Sequence, residues 1–351
     1  MHTLLYRQNE FPVFQNRMYA ARADAVACPK GDIQLVEDLG TGLVYNAAFC
    51  PEKMVYDRWY QNEQAVSSFF QQHLNMVAKL IGRWMGTKPL VEVGCGKGFF
   101  LEMLVARGMD VFGFDPAYEG DNPRIRPERF GPGVMHGWAK GLILRHVLEH
   151  IQDPVTFLNH LKQANGGSGN IYIEVPCFDW ICEHRAWFDI YYEHVNYFRM
   201  SDFHRLFSRI ISSGHVFNNQ YLYVIADLSS LRTPEMDRND PVMFPEDFTC
   251  GITGIEMDRN GHAAIWGGAS KGVIFALLRA RAGCPVRMVI DINPAKQDRY
   301  LPGTGLKVLS PERAMAQLAP GSTIYVMNSN YLEEIRQLSE NAYNYIGVDR
   351  E

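Results

Sequence analysis

Between Gln64 and Met85 the chain reads QAVSSFFQQHLNMVAKLIGRWM, with Val66, Phe69, Phe70, Leu74, Val77, Leu80 and Ile81 recurring mainly at three- and four-residue steps. That period places them on one face of an amphipathic helix. Downstream, PLVEVGC, DVFGFDP, GLILRH and NIYIEVP read as short buried strands, while FFLEMLVARG and DPVTFLNHLKQAN read as helices. Such alternation predicts an open, mostly parallel α/β sheet, which SDFHRLFSRI and NQYLYVIADL complete. The stretch SSLRTPEMDRNDPVMFPED is rich in Pro, Asp and Arg and reads as a linker. A second α/β unit follows it: strand HAAIWG, a glycine turn, helix SKGVIFALLRARAG, strand VRMVIDI, then strands STIYVMN and NYIGVD. Ahead of the long helix, Pro12, Pro29, Gly31, Gly40, Gly42 and Pro51 punctuate short apolar pieces, so that region is expected to be irregular. The expected organisation is an irregular or lid region at 1–60, a larger Rossmann-like domain at 61–235 and a smaller Rossmann-like domain at 236–351.

Composition narrows the classes. At 351 residues with 47% hydrophobic and 21% charged residues, the chain can bury more than one core. A net charge of -5 and no basic stripe argue against a nucleic-acid partner. No apolar run reaches the roughly 20 residues that span a bilayer, and the start lacks the pattern of a secretory signal. The seven cysteines are scattered and form no C-x-x-C, which suits a reducing compartment. The expectation is a cytoplasmic protein, and the sequence leaves its oligomeric state open.

Candidate chemistry gathers first around VEVGCGKG. Gly94, Gly96 and Gly98 follow an apolar strand and precede a helix, where the backbone must turn sharply and approach a ligand closely. Glu92 stands two residues upstream, and the next strand ends in Asp115 and Pro116, with an acid well placed for ribose hydroxyls. The segment LRHVLEHIQDP then poses a separate question, because His146, Glu149 and His150 satisfy the H-x-x-E-H zinc pattern. A strand end with IQDP immediately behind it is a poor place for the continuous helix that pattern needs. No third ligand stands out, and no metal is expected.

The glycine loop, the acid ending the second strand and LRHVLEHIQDP occur in the order and at the separations seen in class I S-adenosylmethionine-dependent methyltransferases, which the chain resembles. The resemblance implies S-adenosyl-L-methionine as cofactor, with Glu92, Gly94, Gly96, Gly98, Asp115, Pro116, Arg145 and His146 around it. Tyr60, in VYDRWYQNEQ beside Tyr56 and Gln64, is expected to reach the cofactor from the N-terminal region.

A second constellation, HRAWFDIYYEHVNYF at 184–198, packs histidines, acids and aromatic residues into one stretch, which is costly to bury without pairing or function. Its YYEHVNYF is similar to the Y-H-E-H-x-x-Y-F segment of C-methyltransferases acting on nucleotide-linked keto-deoxysugars, with Tyr192 in place of the first His. GGASKG and NPAKQDRYLPGT match the C-terminal domain of the same family. The resemblance implies a nucleotide-linked sugar as substrate and methylation at carbon through an enolate. Such chemistry needs a base of suitable pKa, for which His194 is expected, with Tyr191 donating to the enolate oxygen and Glu193 fixing or tuning them. Tyr197, Gly268, Ser270, Lys271, Asn293, Arg299 and Tyr300 are the expected substrate contacts. The family's N-terminal zinc module has no counterpart here, since only Cys28 and Cys50 lie in that region.

Residue types alone leave an oxygen or nitrogen acceptor open. They also leave a nicotinamide-dependent oxidoreductase open, because Asp291 ends the strand after the second glycine turn. Against that alternative, Ala269 interrupts G-x-G-x-x-G, and Lys271 beside helix-start amides reads better as a phosphate holder.

Overall fold

The computed structural model describes residues 1–54, 67–87, 89–134, 139–255 and 263–349. The long helix spans Ser68–Met85, and Ser67 Oγ accepts a hydrogen bond from Phe70 N at 3.4 Å. Its inward face carries Phe70, His73, Leu74, Val77, Ala78, Ile81 and Met85, so the apolar period forms as expected, with a histidine added to it.

Residues 1–54 are not irregular. They hold strands β1 (His2–Pro12), β2 (Lys30–Asp38) and β3 (Val44–Asn46). Register shifts at Leu4/Tyr6 and Gln8/Phe11 interrupt the two-residue alternation of β1, which is why the sequence does not read as a strand.

The central sheet begins with β4 (Leu90–Val93), β5 (Val111–Phe114), β6 (Ile125–Arg126), β7 (Gly141–Arg145) and β8 (Asn170–Pro176). Next in the chain is β9 (Asn196–Tyr197), which leaves this sheet and pairs with β3, joining the N-terminal sheet to the YYEHVNYF segment. Strands β10 (Ile210–Val216) and β11 (Tyr221–Asp227) complete a seven-stranded sheet of order β10-β11-β8-β7-β4-β5-β6, in which β11 runs antiparallel to both neighbours. The remaining pairs are parallel. The chain moves outward from β4 through β5 to β6, then returns to β7 on the other side. The carboxyl ends of β4 and β7 therefore flank a topological switch point, the place where open α/β sheets bind ligands.

The C-terminal half repeats this logic in a five-stranded parallel sheet. It contains β12 (Ala264–Trp266), β13 (Met288–Ile290), β14 (Val308–Leu309), β15 (Thr323–Val326) and β16 (Asn344–Gly347), in the order β14-β13-β12-β15-β16. Its helix Ser270–Arg281 is buried over most of its length, and Phe275 stacks on Trp187 with ring centroids 5.3 Å apart. One hydrophobic core runs through all three sheets, including Phe11, Leu144, Trp187, Phe275 and Tyr325.

The expected linker is tied down. Asp240 pairs with Arg205 at 2.5 Å and Arg199 at 3.5 Å, and Val242 N donates to Glu37 at 3.0 Å. No helix among the described residues is long and apolar enough to cross a membrane.

Candidate active site

The first glycine loop takes the conformation its residues suggest. Gly94, Gly96 and Gly98 have φ of 74°, 55° and 85°, the left-handed region that favours glycine. A Cβ on Gly94 would meet Val147 at 2.5 Å and one on Gly98 would meet Ile125 at 2.3 Å, whereas one on Gly96 would face open space. Asp115 fastens the loop by accepting from Gly96 N and Ala117 N, both at 2.8 Å. Pro116, immediately after it, is exposed at the strand end.

Beneath the loop, Glu92 is 3% exposed, and its Oε2 has no hydrogen-bond partner among the described residues. Burial lifts its pKa to about 8; Arg145 opposes the shift and Asp115 adds to it. An orphaned carboxylate oxygen, a glycine with open space above it and the switch point between β4 and β7 together fit an adenosyl cofactor with a cationic amino-acid tail. Tyr60 lies outside the described residues.

Glu174, on β8, organises the opposite wall, and sequence reasoning missed it. Its fully buried carboxylate lies 2.9 Å from His73 Nε2 and 3.3 Å from Arg145, and it accepts from Tyr172 Oη at 2.6 Å. Burial alone would raise its pKa, but Arg145 and His73 hold it well below the usual carboxylate range. Arg145 also covers the Phe100 ring at 4.5 Å. His146 has a left-handed φ of 53° and places Nε2 3.2 Å from Glu174, an ion-pair contact without hydrogen-bond alignment. Its Nδ1 lies 3.3 Å from Glu149. Burial would lower the His146 pKa; contacts with the two carboxylates outweigh it and raise the value to about 9. The signal for Glu174 was present in NIYIEVP, since a lone acid in a fully apolar strand must find a buried partner.

The YYEHVNYF segment packs beside this wall. Tyr191 Oη and His194 Nε2 are 2.9 Å apart, with the two residues 8% and 5% exposed. Burial and the nearby Asp189 and Glu193 carboxylates raise the Tyr191 pKa well above the phenol range, so its hydroxyl keeps its proton. Burial, then the neighbouring His150, His146 and Lys271, push the His194 pKa well down, so its imidazole is neutral. His194 Nδ1 has no hydrogen-bond partner among the described residues.

Two further residues of this segment make contacts that the sequence did not show. The Glu193 carboxylate accepts from Gln15 N and Asn16 N, which ties the N-terminal segment to this stretch. Tyr197 is 2% exposed, and its hydroxyl is engaged with Tyr191 N and O, each at 3.1 Å, so it supports Tyr191 rather than presenting a free group to a substrate.

The second glycine loop faces the same place. Ser270 opens its helix, accepts from Asn16 Nδ2 at 3.1 Å and hydrogen-bonds the Tyr191 side chain. Lys271 lies over the Trp180 ring at 5.2 Å, pairs with Asp189 at 2.9 Å and donates to Gln220 at 3.2 Å. Its charge is therefore shared with the methyltransferase half rather than held free for phosphate. Gly268 N donates to Asp291 at 2.8 Å, which mirrors the Gly96–Asp115 bond of the first loop. Asp291, however, is 7% exposed, also accepts from Asn293 N at 2.8 Å and lies 3.5 Å from Lys296. Nicotinamide ribose hydroxyls would have to displace those partners. Asn293 Oδ1 closes its own turn by accepting from Ala295 N at 3.0 Å. Tyr300 exchanges backbone hydrogen bonds with Tyr19, while the carbonyl of Arg299 accepts from Val308 N at 2.9 Å. Of these, Tyr300 ties the C-terminal part of the chain to the N-terminal segment.

The sheet order and the glycine loop with its two acids define the class I methyltransferase fold. Residues 60–210 match the family described as a methyltransferase domain. No curated protein matches the chain. Among solved structures, it is similar to the 1,6-didemethyltoxoflavin-N1-methyltransferase of Burkholderia thailandensis, with 13% identity over 53% of this chain and 95% of that one, at a TM-score of 0.36. The N-methyltransferase NodS of Bradyrhizobium japonicum, solved with S-adenosyl-L-homocysteine, shows 12% identity over 49% of this chain and 93% of its own, also at a TM-score of 0.36. An Aquifex aeolicus methyltransferase shows 15% identity over 44% of this chain and 89% of its own, at a TM-score of 0.35. The family match and the chain's own geometry carry the conclusion. The protein is a methyltransferase, and S-adenosylmethionine is the cofactor its loop fits.

Proposed function

We propose that the enzyme methylates a carbon beside the ketone of a nucleotide-linked deoxysugar. The buried Tyr191–His194 pair carries this reading. With its hydrogen on Nε2, neutral His194 donates to Tyr191 Oη and keeps a lone pair on Nδ1. That lone pair accepts the substrate's C–H proton, while the Tyr191 hydroxyl donates to the developing enolate oxygen. S-adenosylmethionine supplies the electrophilic methyl group. Glu92, the Gly94–Gly98 loop and Asp115 would hold it, and alignment of this kind can be worth ~7–11 kcal/mol of barrier. Burial of the pair beneath the Gln15–Asn16 segment and the Ser270 helix start excludes water from the reacting carbon. A diphosphate at that helix start would meet Lys271 and compete with Asp189 for it.

The test is product analysis with methyl-labelled S-adenosylmethionine and a panel of nucleotide-linked ketosugars. Label on carbon supports the reading. Label on oxygen or nitrogen moves the reaction to the alternative acceptors, and no transfer to any sugar removes the substrate class. His194→Ala should abolish turnover and leave S-adenosylhomocysteine affinity nearly unchanged.

A further inference from the structure

The H-x-x-E-H segment does not form the helix that would point His146 and His150 at one ion. After His146, Leu148–His150 makes a single 3-10 turn. That turn instead brings Glu149 and His150 against His194, which arrives from the segment after β8. One ligand-capable atom from each of Glu149, His150 and His194 lies within 4.8 Å of the other two. The rings of His150 and His194 meet edge to face at 4.9 Å. The expectation of no metal rested on the unsuitable helix context and on the lack of a third ligand, and the fold brings His194 to this turn from a distant part of the chain.

We infer that Glu149, His150 and His194 form a binding site for a divalent transition-metal ion of the zinc class. Glu149 is 1% exposed and His194 5%, and among the described residues neither Glu149 Oε2 nor His194 Nδ1 has a hydrogen-bond partner. Buried polar atoms are rarely left in this condition without a ligand, an ion or water. His150 Nδ1 lies 2.8 Å from the Glu193 carbonyl, so it donates there and leaves its Nε2 lone pair for a ligand. This is the backbone bond that commonly fixes the tautomer of a metal-binding histidine. Two imidazoles and one carboxylate are a zinc donor set with a fourth position open. A tetrahedral ion with bonds of about 2.0–2.1 Å would draw the three donors to about 3.3 Å apart.

The consequence goes beyond the proposed reaction. The ion takes the His194 Nδ1 lone pair, the atom assigned to proton removal, so the loaded enzyme is switched off. Chelation releases it.

The test is titration of the EDTA-dialysed full chain with Zn²⁺ by calorimetry, and with Co²⁺ by visible absorption. One ion per chain with a tetrahedral Co²⁺ spectrum, weakened at least tenfold in both His150→Ala and Glu149→Gln, is the expected result. Far-UV circular dichroism checks folding, and His150→Gln replaces any variant that does not fold. No binding by the wild type, or unchanged binding in the folded variants, overturns the site. Zn²⁺ should inhibit turnover over the concentration range in which it binds; binding without inhibition overturns the switch. Absence of metal binding leaves the methyl-transfer reading intact, because product analysis judges that separately.

Discussion

Tyr191 Oη and His194 Nε2 sit 2.9 Å apart in a pair that burial keeps uncharged on both sides, with the phenol pKa raised and the imidazole pKa lowered. A neutral imidazole beside a protonated phenol can take one proton and donate another without first exchanging protons with bulk solvent. Tyr191→Phe removes the hydroxyl proposed to meet the developing oxyanion. Loss of one such donor costs about 10²–10³ in kcat. Steady-state kinetics should show that fall, with S-adenosylhomocysteine affinity changed less than twofold by calorimetry. An unaltered kcat would remove Tyr191 from the chemistry.

The glycine loop predicts two unlike outcomes from the same substitution. Gly98→Ala places a methyl 2.3 Å from Ile125 Cδ1 at φ 85°, so both packing and backbone resist it. The thermal midpoint should drop sharply. Gly96→Ala meets no atom within 4 Å and strains the backbone by only about 1–2 kcal/mol. The protein should fold, yet the methyl fills the space kept for the cofactor. Binding of S-adenosylhomocysteine should weaken more than tenfold, and retained affinity in a folded Gly96→Ala would place the cofactor elsewhere.

Glu174 compensates the buried Arg145 charge while also contacting His73 and His146. Glu174→Gln leaves that charge uncompensated, a change worth about 3–5 kcal/mol in buried pairs. The denaturation midpoint should fall accordingly at pH 7. Folding lowers the Glu174 pKa from its ordinary 4.5, so its contribution is fully present above that value and fades as the pH falls through the lower folded one. Wild type and variant should therefore converge in stability in acid. A gap that does not narrow as the pH falls below 4, or that widens, would contradict the assignment.

Local signals proved readable where one short stretch fixes its own geometry. Gly94, Gly96 and Gly98 between a strand and a helix announce the left-handed turn, and the alternating apolar runs announce the parallel sheet. Relationships between distant stretches were not readable. Nothing in HVLEH shows that Glu149 and His150 will meet His194, because that contact depends on how β7, β8 and the following loop stack. Nothing around Glu193 shows that its carboxylate will also accept from Gln15 N and Asn16 N, far back in the chain. Nothing beside Lys271 in the sequence shows that Asp189, some eighty residues earlier, will pair with it. The bulged β1 hides for a different reason, since two register shifts erase the alternation that would mark it.

Glu92 gives the cofactor site a pH signature. Burial raises its pKa to about 8 in the free protein, so at neutral pH its carboxyl is mostly protonated. Binding brings an ammonium group and hydroxyl donors to the loop, and these favour the ionised form. The bound pKa therefore lies below the free one, and binding releases a proton in the range between them. S-adenosylhomocysteine affinity should rise between pH 6 and 8, by at most about tenfold per pH unit, and level off once Glu92 is already ionised. Calorimetry in two buffers of different ionisation enthalpy should detect the released proton directly at pH 7. Glu92→Gln should flatten the profile. An affinity that falls over this range, or a profile the variant leaves unchanged, would place the proton on another group and separate Glu92 from the cofactor.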